Sequence, residues 1–299
     1  MPKRESFAFI GFGEAGQAIG GGLVAAGAGR VTAYDPRFND PHTGGEMRAK
    51  ATECGIVPCP SAAAAAEQAD VIVSAVAAGV ALQVAETVAG CLHPSQVFLD
   101  LNSVSPSEKR AAAKAVEAAG ADYVEAAVLS PVGAMGHKVP MLFAGPSAER
   151  LAGQLQLFGM NVEVAGAEVG VASAVKMCRS IVMKGMEALA VESLLTAHLY
   201  GVEERVLASL ERTFPSLGWR ERSDYMIGRV LAHGARRAEE MRCAAETVRA
   251  VGLDPIMADA IARRQRWVAD LEPGHADSTD DAEAPHLATL IAAYCRTCR

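Results

Sequence analysis

The sequence predicts an α/β domain with a mostly parallel, doubly wound sheet over residues 1–166, followed by an all-α domain over residues 167–299. Three observations predict it. In the first half, short apolar runs alternate with segments of helical period, the pattern of βαβ units. After about Gly166 the strand-like runs stop and long stretches of helical period take over. The composition is 51% hydrophobic but only 5% aromatic, which suits closely packed helices and buried parallel strands better than a β-sandwich. The length, 299 residues, allows two domains at roughly 150 residues each.

The elements follow in order. Ser6–Gly11 predicts a strand and Glu14–Ala26 a helix. Arg30–Tyr34 is a second strand, and Thr43–Cys54 and the Ala-rich Ser61–Gln68 are helical. The β-branched run Val71–Val76 predicts a buried strand, and Val80–Cys91 returns to helical period. Gln96–Leu101 is a strand ending in Asp100. Pro106–Ala119 opens with proline in its first turn, where the missing N–H costs nothing. Tyr123–Val128 is another strand; Pro140–Ala144, Ala148–Phe158 and Asn161–Val164 extend the sheet. Right-handed crossovers are the expected connections. The second half opens with a long helix at about 169–198, with Gly185 its one interior glycine. Helices at Glu203–Thr213, Tyr225–Val251 and Pro255–Leu271 follow. Asp270–His286 holds six acids and no Lys or Arg, and predicts a solvated loop.

The balance of 28 Lys+Arg against 35 Asp+Glu gives a net charge of −7, which argues against a nucleic-acid partner. The most apolar run, Val71–Ala85, is interrupted by Ser74, Gly79 and Gln83 and falls short of the ~20 apolar residues of a membrane span. Glu14 and Gln17 interrupt the N-terminal apolar stretch, which predicts a first strand rather than a signal peptide. Seven scattered cysteines, with Cys295-x-x-Cys298 lacking a second pair, predict reduced thiols in a cytoplasmic protein and no zinc site. The histidines show no metal spacing, so no metal is expected.

Gly11-Phe12-Gly13-Glu14-Ala15-Gly16 is G-x-G-x-x-G, a common pattern made specific by its setting after an apolar strand and before a helix. Gly11 would permit the tight turn, Gly13 the approach of a pyrophosphate, and Gly16 close helix–strand packing. The helix N-terminus would offer N–H groups and a positive dipole end to phosphates. Asp35 ends the second strand, where an acid can accept hydrogen bonds from the adenosine ribose and repel a 2′-phosphate. NAD(H) is therefore expected over NADP(H), with Arg37 the residue that could admit NADP(H). Val76, at the end of its strand, completes the expected cofactor set.

On these motifs the chain resembles the 3-hydroxyacid dehydrogenase family, also called 6-phosphogluconate dehydrogenase-like, over essentially its whole length. It looks closest to a branch with a distinctive C-terminal helical domain. Besides the glycine turn, Leu99-Asp100-Leu101-Asn102-Ser103-Val104-Ser105-Pro106 resembles the family's D-x-S-T substrate segment. Gly170-Val171-Ala172-Ser173-Ala174-Val175-Lys176 resembles its G-x-G-x-x-x-K, in which the lysine is catalytic. The resemblance implies a Rossmann domain, a helical domain, an active site between them and a homodimer. The departures are grouped. Ser180 stands where the family has asparagine, and Asn102 stands at the serine of D-x-S-T. Leu129-Ser130-Pro131 replaces S-G-G, and Glu239 replaces the lysine of a Lys-Asp-Leu, with Glu240 and Met241 following. Together these imply a substrate different from that of the well-known members.

Hydride transfer leaves the protein one proton to move. The resemblance assigns that proton to Lys176, whose pKa desolvation or nearby cations such as Arg179 and Lys184 would lower. Lys176, Ser180 and Lys184 recur at i, i+4 and i+8, a polar stripe on an apolar helix. Asn102, Ser103 and Ser180 would position the substrate; Arg179, His233 and Arg236 are further polar candidates. The expected function is an NAD-dependent oxidoreductase, with NADP the alternative cofactor, acting on a small polar hydroxy compound such as a 3-hydroxy acid or its carbonyl partner. Oxidative decarboxylation, imine reduction and a non-catalytic nicotinamide-binding sensor remain open alternatives.

Overall fold

The computed structural model describes residues 5–271 and 285–297. The chain divides into two compact units, Met1–Lys176 and Met177–Arg299.

The first unit is built on one eight-stranded sheet. Its strands are β1 (Phe7–Ile10), β2 (Val31–Tyr34), β3 (Val57–Pro58), β4 (Val71–Ser74), β5 (Val97–Asp100), β6 (Asp122–Val128), β7 (Met141–Ala144) and β8 (Val162–Gly166). The spatial order is β3-β2-β1-β4-β5-β6-β7-β8, so the direction of winding reverses between β1 and β4. Every pair is parallel except β6 with β7. A parallel return needs a long crossover, usually a helix. The link from Leu129 to Pro140 carries only a 3₁₀ segment, Gly133–Lys138, so the chain turns back beside the strand it has just left.

Helices cover both faces: α1 (Glu14–Ala25), α2 (Gly44–Glu53), α3 (Ala62–Ala66), α4 (Ala81–Ala89), α5 (Pro106–Ala118) and α6 (Ala148–Gln156). The two-residue alternation of a strand splits the core accordingly. Phe7 and Phe9 of β1 join one cluster with Ile19, Leu23, Leu151 and Leu155. Ala8 and Ile10 join the other with Ala85, Val88, Ala112 and Val116.

The second unit contains most of α7 (Val171–Leu199), then α8 (Glu203–Thr213), α9 (Trp219–Arg249), α10 (Ile256–Asp270) and α11 (His286–Thr297). No strand occurs here among the described residues. One core gathers Val191, Leu194, Ile227, Val230 and Leu290; a second gathers Met177, Met241, Ala244 and Ile261. A buried polar knot joins three helices. Arg237 of α9 pairs with Glu187 of α7, and Gln265 of α10 donates to Glu187 at 3.2 Å.

The expected layout is present, with local differences. β3 and α11 had no predicted counterpart, and α9 starts at Trp219 rather than Tyr225. Most of the acidic segment Asp270–His286 lies outside the described residues, as do Met1 to Arg4 and Cys298. The six cysteines that are described are free thiols.

Candidate active site

The glycine turn leaves the end of β1 where the sheet reverses direction, the place at which doubly wound sheets bind ligands. Gly11 has φ +97°, and a Cβ there would lie 2.3 Å from the Ala75 carbonyl oxygen. A Cβ on Gly16 would lie 2.3 Å from the Gly11 carbonyl oxygen, so that glycine permits the helix to start against the turn. Gly13 differs: a Cβ would meet nothing within 4 Å. The space over Gly13 is open, as a pyrophosphate requires. Gly13 caps α1 without any side-chain hydrogen bond, which leaves the helix end to a ligand. The ring of Phe12 is buried against Phe38, Glu14 is exposed, and Ala15 is partly buried.

Beside the turn lies a cleft of about 410 Å³, lined among others by Gly11, Gly13, Asp35, Arg37, Val76 and Val80. Asp35, one of the lining residues, is buried and accepts four N–H groups. Oδ2 takes the Phe12 amide at 2.9 Å and Arg37 Nη2 at 2.9 Å; Oδ1 takes the Arg37 amide at 3.0 Å and its Nε at 2.9 Å. A carboxylate has about four acceptor positions, so all are occupied. Burial pushes the Asp35 carboxyl up, but the Arg37 guanidinium and the two backbone amides outweigh it and hold the group below its ordinary value. The predicted Asp35 therefore sits in the cleft, but as one half of an ion pair with Arg37.

Asn102 and Val76 are brought together. Asn102 Oδ1 accepts the Val76 amide at 2.7 Å, and its Nδ2 donates to Ser74 Oγ at 2.9 Å. Asn102 is thus a clasp between the ends of β4 and β5. Ser103, half-buried beside it, makes no hydrogen bond among the described residues. A network that no motif marked lies beneath. Lys109 of α5 and Asp100 of β5 form an ion pair at 2.9 Å, with side chains 1% and 2% exposed. Lys109 also donates to the Asp100 carbonyl oxygen at 2.9 Å, and the Tyr123 hydroxyl donates to Asp100 Oδ2 at 2.7 Å. Burial and the Asp100 charge push the Tyr123 phenol far above its ordinary value, so it stays a donor. A signal existed: Lys109, Ala112, Ala113 and Val116 share one helical face, and a lysine on an apolar stripe needs a buried partner.

Glu125 is a second residue outside the predicted set. It is fully buried on β6, and its Oε1 accepts the amides of Gly170 at 2.7 Å and Ala172 at 3.0 Å. A carboxylate thereby caps the start of α7, where charge and dipole agree. Gly170 has φ +108°, and a Cβ there would lie 2.4 Å from the Arg110 guanidinium. Lys176 follows on the second turn of α7 and is partly buried. Ser180, one turn later, is buried and accepts from Lys184 Nζ at 3.1 Å. Lys184 pairs with Glu240 at 2.9 Å, so it is a compensated charge rather than a bare cation. Arg236 also reaches Glu240, at 3.1 Å, and Arg179 is exposed.

A reversing, mostly parallel sheet with a glycine turn feeding an open helix end defines a dinucleotide-binding protein. Comparison with known proteins gives the family. Residues 6–166 match the NAD binding domain of 6-phosphogluconate dehydrogenase, and residues 197–268 match a Domain of unknown function (DUF1932). The chain belongs to the 6-phosphogluconate dehydrogenase-like family, and its first unit is an NAD(P)-binding domain. It is similar to a conserved hypothetical protein from Sinorhizobium meliloti 1021, with 41% identity, 98% of this chain and 97% of that one covered, and a TM-score of 0.77. It is also similar to the conserved protein MTH1747, itself described as structurally similar to 3-hydroxyacid dehydrogenases, at 31% identity, 89% and 97% coverage and a TM-score of 0.71. The fold is shared with 3-hydroxyisobutyrate dehydrogenase of Mycobacterium tuberculosis, solved with L-serine, at 20% identity, 97% and 99% coverage and a TM-score of 0.74. No helix among the described residues is long and apolar enough to cross a membrane.

Proposed function

We propose that this protein is an NAD(P)-dependent dehydrogenase or reductase acting on a small polar hydroxy compound, a 3-hydroxy acid or its carbonyl partner, with Lys176 as general acid/base. The observation that carries the reading is Lys176 itself, partly buried at the start of a helix that Glu125 caps from the same sheet that carries the open glycine turn. NAD(P), when bound, supplies the hydride acceptor or donor. Gly11, Gly13 and Gly16 give it room, and the α1 N-terminus faces its phosphates. Lys176 Nζ takes the hydroxyl proton in oxidation and returns it in reduction. Asn102 holds the Val76 amide in place, while Ser103 and Ser180 keep hydroxyl groups for the substrate. The buried negative charge of Asp35 favours NAD(H), and Arg37, 55% exposed on its side chain, is the group that would meet a 2′-phosphate.

The test is turnover of a panel of 3-hydroxy acids, L-serine included, with NAD⁺ and NADP⁺, followed by nicotinamide absorbance. Lys176→Ala is expected to lose about 10²–10⁴-fold in kcat, the usual worth of a general acid/base, with cofactor affinity kept. Undiminished turnover in a folded variant would refute the assignment. Carbon dioxide release would point to oxidative decarboxylation instead. Tight NADH binding without turnover of any panel member, imines included, would point to a sensor.

The same reading includes a homodimer in the cytoplasm. Val175, Val182 and Leu189 are exposed on α7 at seven-residue spacing, the repeat that lets two helices pack along a seam.

A further inference from the structure

Ser180 differs from several other hydroxyls of the helices. A serine or threonine inside a helix commonly spends its proton on the carbonyl one turn back. Thr87, Thr213 and Thr247 do so, at 2.8, 3.0 and 2.8 Å. Ser180 does not, and the only hydrogen bond of its hydroxyl among the described residues is the one it accepts from Lys184 at 3.1 Å. An ammonium has three donors and no acceptor, whereas a hydroxyl has one proton and two lone pairs. The bond therefore has one possible sense. Lys184 donates to Oγ, and the Ser180 proton points away from Lys184 with no acceptor among the described residues.

Lys184 is itself held. Its side chain is 8% exposed and pairs with Glu240 Oε2 at 2.9 Å; Glu240 takes Arg236 on its other oxygen at 3.1 Å. The Glu240–Lys184 pair thus joins α9 to α7, and it ends on a buried, unspent O–H donor one turn from Lys176. Leaving such a donor unmatched is costly in a buried setting, and a small ligand with an acceptor oxygen would satisfy it.

We propose that Lys184, fixed by Glu240, is a positioning residue that sets the Ser180 hydroxyl as a hydrogen-bond donor to a carboxylate or carbonyl oxygen of a small substrate on the Lys176 face of α7. The proposal rests on the reading of Lys176 as the acid/base residue. It adds that substrate recognition runs through a lysine that need not touch the substrate.

A double-mutant cycle tests it. Ser180→Ala, Lys184→Met and the double variant are compared with wild type. Dissociation constants for 3-hydroxypropionate and L-serine are measured by calorimetry on NADH-saturated protein, and KM and kcat with NAD⁺. Each single variant is expected to weaken binding roughly 10–100-fold, the worth of a hydrogen bond to a charged group, with kcat changed far less. The double variant is expected to be no worse than Ser180→Ala. Lys184→Arg, which keeps charge and donors, should recover part of the loss. Should Lys184→Met fail to fold, Glu240→Gln and Lys184→Arg in the wild-type and Ser180→Ala backgrounds replace it. Unchanged affinity in the folded Lys184 variants, equal losses with and without Ser180, or no binding of either acid by wild type would each overturn the proposal. A purely structural ion pair would lower the melting temperature and leave affinity alone. Wild-type binding without turnover, or Lys176→Ala with full turnover, would defeat the redox reading while the binding cycle still decides this one.

Discussion

Gly11 and Gly13 are two residues apart, yet they are glycines for different reasons. Gly11 has a left-handed φ and a carbonyl oxygen where its Cβ would be. Gly13 has neither; it faces open space. Gly11→Ala is therefore expected to destabilise the free protein by about 1–3 kcal/mol through strain, seen as a lower melting temperature without ligand. Gly13→Val should melt near wild type but lose NADH affinity, measured by fluorescence titration, because its side chain fills the space of the phosphates. Equal melting losses for both would mean Gly13 is only a turn residue. The glycine spacing made this much legible in the sequence. What it could not carry was the state of Asp35. An acid at a strand end reads as a ribose acceptor, but occupancy of its four acceptor positions depends on how Arg37 folds back over two residues, and no pattern encodes that. Asn102 is similar: its place in the segment that resembles D-x-S-T suggested substrate contact, while its partners in the fold are Val76 and Ser74.

Between elements, a fully buried tie near the site is Lys109 with Asp100, which pins α5 to β5 with Tyr123 of β6 as third member. Removing one partner of a buried pair strands the other charge in a low-dielectric interior. Lys109→Ala is expected to cost about 3–5 kcal/mol, measured by urea denaturation. Lys109→Met with Asp100→Asn should recover much of that loss, because both charges leave together. A loss below about 1 kcal/mol for Lys109→Ala would show that the pair is solvated, as surface pairs are. Most elements could be read from period and punctuation: Pro106 in the first turn announced α5, and the structure adds a full capping box of Ser105 with Glu108. The misses have physical causes. β3 has only two residues, too few to show alternation. The first turn of α9, Trp219 to Arg222, is charged apart from its tryptophan and follows Gly218 with φ +60°, so it reads as loop. α11 comes directly after an acidic stretch of loop composition, and its apolar period rests on only three buried residues, Leu287, Leu290 and Ala293.

At the scale of the whole molecule, each unit has its own core, and the family match covers the first through residue 166. The proposed dimer carries a prediction of its own. Leu189→Asp places a charge on the exposed seven-residue stripe of α7 and is expected to shift the sedimentation coefficient from dimer to monomer, with the circular-dichroism spectrum unchanged. A wild-type monomer would refute the dimer, and a dimeric variant would refute this seam. α7 also has a consequence of phase. Consecutive residues of a helix turn by about 100°, and Lys176, Ser180 and Lys184 share a side only because each pair is four apart. Losing or gaining one residue anywhere between 176 and 184 would swing the later groups a quarter-turn or more around the rod. A substitution within this stretch therefore alters one group at a time, whereas a change in its length would dismantle the arrangement at one stroke.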